Sequence, residues 1–129
     1  MRLLLDTHLL LWALAEPERL DATTRMALED PDNEVLFSAA SLWEIAIKAK
    51  LGRADFGFDP QRILRAALDT GFIELPVRAA AAVRVAGLPL HHRDPFDRLL
   101  IAQAIAEPVR FYTVDPLLPP YSELVTLVR

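Results

Sequence analysis

The chain has 129 residues, 53% of them hydrophobic and 25% charged, with a net charge of −4 at pH 7. That length suits one domain with one core, and the balance excludes a disordered chain. The lack of cysteine excludes disulfides and thiolate metal sites, and the negative charge does not advertise nucleic-acid binding by the surface as a whole, although a local basic groove stays open.

Residues 3–5, three leucines, read as a buried strand closed by Asp6. Residues 3–15 resemble a secretion signal only superficially, because Asp6 and His8 interrupt the apolar run and no clean cleavage site follows. No stretch reaches the ~18 apolar residues of a membrane helix, so a soluble cytoplasmic protein with no membrane partner is expected. Thr7 is suited to cap a helix through about residue 15, and Pro17 stops it. Residues 20–30 read as a second helix, ended by Pro31-Asp32-Asn33. Residues 34–37 are a short apolar run, the second strand. Ser38 or Ser41 then caps a helix lasting to Gly52, with Leu42, Ile45, Ala46 and Ala49 as its core stripe. Residues 54–58 read as a loop in which Gly57 separates two aromatics. Pro60 fits the first turn of a helix that ends at Gly71. Residues 72–75 form the third strand, residues 77–86 an alanine-rich helix, and residues 87–93 a loop. Asp94-Pro95 opens a helix to about residue 107, and residues 110–114 and 124–128 read as the last two strands. Strands alternate with helices, so the expected fold is α/β, a single domain over 1–129 with a mainly parallel central sheet flanked by helices.

Four carboxylates stand out: Asp6, Glu44, Asp97 and Asp115. Asp6 and Asp115 each close an apolar strand, and Pro116 biases Asp115 towards an extended backbone. Glu44 lies on the helix after strand two, and Asp97 in the first turn of the helix opened by Asp94. In a parallel sheet, strand ends and the following helix starts share one rim, so all four can meet there. Each also has a plain structural reading. Ser41-x-x-Glu44 fits a capping box, and Glu44 precedes Lys48 at an ion-pair spacing. Asp94-Pro95-Phe96-Asp97 fits an N-cap, a proline at the first position and an acid favoured by the helix dipole. Asp115-Pro116 fits a turn. Asp6 is the exception, since capping explains Thr7 better. Gathered in one cleft, such acids repel by about 4 kcal/mol per pair at about 4 Å and an effective dielectric near 20. A divalent cation removes that cost, and oxygen-only ligands suit Mg²⁺, with Mn²⁺ as the alternative, rather than Zn²⁺. Such ions support hydrolysis of phosphodiesters.

Four stretches carry a family resemblance: Leu3-Leu4-Leu5-Asp6-Thr7-His8; Ser38-Ala39-Ala40-Ser41-Leu42-Trp43-Glu44-Ile45; the run from His91 through Ala104 that contains Asp94-Pro95-Phe96-Asp97-Arg98; and Thr113-Val114-Asp115. In that order they resemble the PIN-domain ribonucleases, specifically the VapC-type toxins of toxin–antitoxin pairs. The resemblance implies a PIN fold and a Mg²⁺-dependent endoribonuclease that cuts RNA to leave a 3′-hydroxyl and a 5′-phosphate. It implies Asp6, Glu44 and Asp97 as the acidic metal site, with Asp115 as a weaker fourth contributor whose carboxylate Pro116 can shift. It also implies a homodimer and a cognate antitoxin protein.

Around the acids, Thr7 and Ser41 are either helix caps or hydroxyls that orient Asp6 and Glu44. Together with Arg98, a candidate phosphate contact or ion-pair partner, they are the expected substrate-side residues. Asp94 reads as an N-cap. His8, His91 and His92 lack the spacing of zinc enzymes and read as loop or packing residues. Trp12 and Trp43 read as core or dimer-interface residues. Lys48, Lys50 and Arg53 form a basic cluster that either complements a helix end or touches a phosphate backbone. Two rivals compete with this reading, and the first is rejected. A phosphatase of the haloacid dehalogenase kind needs a second Asp two residues after the first, where this chain has His8. The other rival is a PIN-like module that binds RNA or a partner without cleavage.

Overall fold

β1 (Arg2–Leu5) sends successive side chains to opposite faces of its sheet, yet Leu3, Leu4 and Leu5 are all fully buried. An unbroken apolar strand of this kind requires cover on both faces, as in parallel α/β sheets. A computed structural model has this arrangement and describes residues 1–128; Arg129, the last residue of the expected domain, lies outside the described residues. β1 is flanked by β2 (Glu34–Ser38) and β4 (Arg110–Thr113), with β3 (Ile73–Leu75) outside β2 and β5 (Val125–Leu127) outside β4. All four pairings are parallel, and the order is β3-β2-β1-β4-β5.

Six α-helices connect and cover the strands: α1 (Thr7–Ala15), α2 (Ala22–Glu29), α3 (Ala39–Lys50), α4 (Pro60–Thr70), α5 (Ala79–Arg84) and α6 (Pro95–Ala106). Leu3 and Leu5 pack on one face with Leu9 and Leu10 of α1 and Ile63 of α4. Leu4 packs on the other face with Leu36, Phe111 and the α6 residues Leu100 and Ile101. Burying a leucine is worth about 1.5–3 kcal/mol, so the β1 triplet ties both helix layers to one sheet. Among the described residues, no helix is long and apolar enough to cross a membrane.

The chain moves outward through β1, β2 and β3, then returns to lay β4 on the opposite flank of β1. The strand order therefore reverses between β1 and β4, the kind of switch point above whose strand ends open α/β sheets hold a ligand crevice.

Most expected elements fall within two residues of their observed bounds. Three show local differences. The alanine-rich helix is shorter, running over Ala79–Arg84 before it tightens into a 3₁₀ turn at Val85–Gly87. The loop at residues 54–58 contains a 3₁₀ turn, Ala54–Phe56, which buries Phe56 completely. The second helix begins at Ala22, where Asp21 caps it by accepting from the Thr24 N–H.

Candidate active site

The crevice at the β1–β4 reversal is lined by acids. The ladder continues one residue past β1, where the Asp6 N–H donates to the Tyr112 carbonyl at 2.9 Å. Asp6 is thereby placed beside the end of β4. Its Oδ1 accepts from the Leu9 N–H at 2.7 Å, and its Oδ2 accepts from the Thr113 hydroxyl at 2.6 Å and the Val114 N–H at 3.0 Å. The cap of α1 is thus Asp6, not Thr7, correcting the expectation from sequence. The same carboxylate closes a strand, starts a helix and faces the crevice. Burial raises its pKa despite the Thr113, Leu9 and Val114 hydrogen bonds and the nearby His8, all of which pull it down.

Thr7 is buried one residue further on, and its hydroxyl donates to Glu44 Oε1 at 2.6 Å. It orients Glu44 rather than Asp6. Ser41 is buried 3.0 Å from the Thr7 hydroxyl and touches Glu44 only through it. The cap of α3 is Ser38, whose Oγ accepts from the Ala40 N–H, so Ser41 and Glu44 do not form the expected capping box. Glu44 is 2% exposed, and its other oxygen, Oε2, takes the ammonium of Lys48 one helical turn on.

Asp94 caps α6 as expected, with Oδ1 accepting from the Phe96 and Asp97 N–H groups. That places Asp97 in the first turn of α6. Burial, then the charges of Asp94, Asp6, Glu44 and Asp115, push the Asp97 carboxyl up to about 8. One group feeling all four neighbours places the acids in a single electrostatic cluster. Asp115 reaches it from beyond β4. Its Oδ1 accepts from the Leu117 N–H, the expected proline turn, while Oδ2 lies 2.6 Å from His92 Nε2. The turn reading of Asp115 therefore holds, and its other oxygen faces His92.

Two residues of the site were not singled out from sequence. Thr113 is fully buried; it donates to Asp6 and accepts the Asp115 N–H at 3.0 Å, which welds the Thr-x-Asp stretch to the first strand. His92 was expected in a loop or packing role, but its Nε2 lies 2.6 Å from Asp115 and 3.3 Å from Asp97. His8 and His91 do pack, edge-on to Phe56 and to Tyr121. The histidine pair at 91–92, three residues before a proline-started helix, was the available signal, and nothing local tells which histidine turns inward.

Arg98 departs from the expectation of a substrate contact. Its guanidinium donates to the carbonyls of Val85, Pro89 and His92 and to the Tyr121 hydroxyl, so its fork is committed to the loop before α6. Trp43 is 60% exposed and packs edge-on to Phe96 rather than in the core. Trp12 is half-buried, with the Arg19 guanidinium 4.2 Å over its ring.

Atoms of His92, Asp97 and Asp115 that could hold a metal ion lie within 4.8 Å of one another. The tautomer decides what His92 contributes. Its Nδ1 accepts the Asp94 N–H at 3.1 Å, so Nε2 carries the proton and donates to Asp115, with Asp97 Oδ2 3.3 Å away. What remains is a cluster of carboxylate oxygens carrying excess negative charge, and Asp97 Oδ1 has no donor among the described residues. Such a set fits a hard divalent cation.

Comparison with known proteins gives one consistent result. The model of the PIN domain family matches residues 3–117. Ribonuclease VapC22 of Mycobacterium tuberculosis (strain ATCC 25618 / H37Rv) is 33% identical over 115 residues, covering 87% of this chain and 85% of the relative. The crystal structure of VapBC2 from Rickettsia felis, bound to a DNA fragment from their promoter, superposes with a TM-score of 0.74 over the full length of both chains at 16% identity, a likeness of fold.

Proposed function

The chain belongs to the PIN-domain family, among its VapC-type members, and from that premise we propose that it is a divalent-metal-dependent endoribonuclease acting as the toxin of a type II toxin–antitoxin pair. The observation that carries this reading is the convergence of buried Asp6 and Glu44 with partly buried Asp97 and Asp115, close enough for their charges to raise the Asp97 pKa. A fold does not keep such a cluster for stability, because each ionised member costs it free energy. Clusters of this kind mark sites that work on charge.

Asp6, Glu44 and Asp97 would hold Mg²⁺ or Mn²⁺, with Asp115 joining through its link to Asp97. Such an ion lowers the pKa of water and stabilises charge that builds on phosphoryl oxygens. The chain's own residues supply position. Thr113 and the Val114 N–H fix Asp6, and Thr7, steadied by Ser41, fixes Glu44. The His92 Nε2–H donates to Asp115 and lies 3.3 Å from Asp97. All four acids stand at strand ends or on helices that start at the rim, so little reorganisation is needed when an RNA phosphate arrives. A cognate antitoxin is the proposed protein partner, a homodimer the proposed assembly and the cytoplasm the proposed location.

The test is cleavage of RNA by the purified protein with Mg²⁺, with chelator, and as Asp97→Asn. We expect metal-dependent cleavage that falls at least ~100-fold in the variant, since a ligand to the metal controls several kcal/mol of transition-state stabilisation. RNA binding without metal-dependent cleavage would instead favour a non-cleaving PIN-like module.

A further inference from the structure

Lys48 lies inside the acidic cluster, and none of the roles proposed above uses it. Its stem runs back along α3 from the helix end, and its side chain is only 16% exposed. The ammonium sits on Glu44 Oε2 and comes within 3.9 Å of Asp94 Oδ2. The rings of Phe56 and Phe96 flank it, with centroids at 4.7 and 5.7 Å. A surface i, i+4 pair is exposed and mobile, and it contributes little. Here the pair is clamped between aromatics, and the carboxylate is 2% exposed.

Both oxygens of Glu44 are therefore engaged, one by Thr7 and one by Lys48. Asp97 is less engaged, with Oδ2 3.3 Å from His92 Nε2 and no donor to Oδ1 among the described residues. Charge compensation is thus uneven across the cluster. Glu44 and Asp94 share an ammonium, while Asp6 and Asp97 face only the imidazoles of His8 and His92. Two-ion phosphodiesterases use a second divalent cation to stabilise the attacking and leaving oxygens together, and that cation also needs acids free to hold it.

We propose that Lys48 stands in for that second cation, so that the Asp6–Glu44–Asp97 site proposed above takes one divalent ion. The inference rests on the divalent-ion site proposed above and adds its stoichiometry and the residue that sets it. Lys48→Met keeps the length and apolar packing of the stem and removes the charge. Lys48→Arg keeps the charge.

The experiment is calorimetric titration of the chelator-treated full chain with Mn²⁺, with a thermal melt of each variant by circular dichroism. We expect about one equivalent per chain for the wild type and Lys48→Arg, and about two for Lys48→Met. The metal-free Lys48→Met protein should melt lower than the wild type and gain more from Mn²⁺. A wild type that takes about two equivalents overturns the inference while leaving the nuclease reading standing. So does a folded Lys48→Met protein that still takes about one. If neither protein binds Mn²⁺, the ion site itself is refuted, and the inference falls with it. If the Met variant does not fold, Lys48→Gln replaces it, and the wild-type stoichiometry still decides the first half.

Discussion

Asp97 titrates at about 8 instead of near 3.8, which ties the stability of the metal-free protein to pH. Its folded-state pKa lies above the unfolded value, so between these two the folded chain binds the extra proton and stability falls as pH rises. The contribution is full below about pH 3.8 and gone once pH passes about 8. The metal-free protein should lose melting temperature between pH 5 and pH 8, and Asp97→Asn should flatten that slope. Asp6, also raised, adds in the same direction. Melts across that range with chelator present check both, and a slope unchanged in the variant would remove Asp97 as the cause. Mn²⁺ competes with the proton at the same oxygens, so the metal-induced rise in melting temperature should grow towards pH 8. At this scale the sequence made the acids legible, because strand ends and helix starts are visible as patterns. The roles of the hydroxyls were not. Thr7 and Asp6 are adjacent, and only the ladder bond to Tyr112 decides that the carboxylate caps α1 while the hydroxyl turns to Glu44.

The helix α6 brings two working residues to the rim, and Arg98 holds the strap that precedes it. Its guanidinium gathers the carbonyls of residues 85, 89 and 92, which fixes the stretch carrying His92. Arg98→Ala should therefore loosen that stretch, cost about 1.5–3 kcal/mol of stability and reduce cleavage through a displaced His92. Arg98→Lys should not rescue it, because one ammonium cannot span these acceptors. Hydrogen exchange over residues 85–92 beside urea melts is the check. A variant of normal stability with a shallower salt dependence of RNA binding would restore Arg98 to the phosphate. Elements were easier to read than this. Asp94-Pro95 and Asp59-Pro60 announce helix starts, and Gly71 ends α4 because its φ of 94° suits a residue with no Cβ. The alanine-rich helix was read too long because alanine carries helix propensity without marking a stop.

The strand order was not legible at all. Alternating strands and helices imply a parallel sheet, but several orders bury the same leucines. The order places β4 next to β1, and one side-chain bond spans the result: the Thr113 hydroxyl donates to Asp6 across 107 positions of sequence. Thr113→Val keeps the shape and removes both that bond and the acceptor for the Asp115 N–H. It should cost about 1–3 kcal/mol in urea denaturation and push the Asp6 carboxyl further up, weakening Mn²⁺ binding. Stability within about 0.5 kcal/mol of the wild type would deny the tie any structural weight. That tie also sets a clock on synthesis. A ribosome delivers Asp6 107 residues before the hydroxyl that holds it. Through most of translation the nascent chain carries its acids on separate, unpaired segments, and a polypeptide abandoned before the fourth strand has no assembled centre. Whatever chemistry the assembled centre performs cannot begin before that strand has emerged.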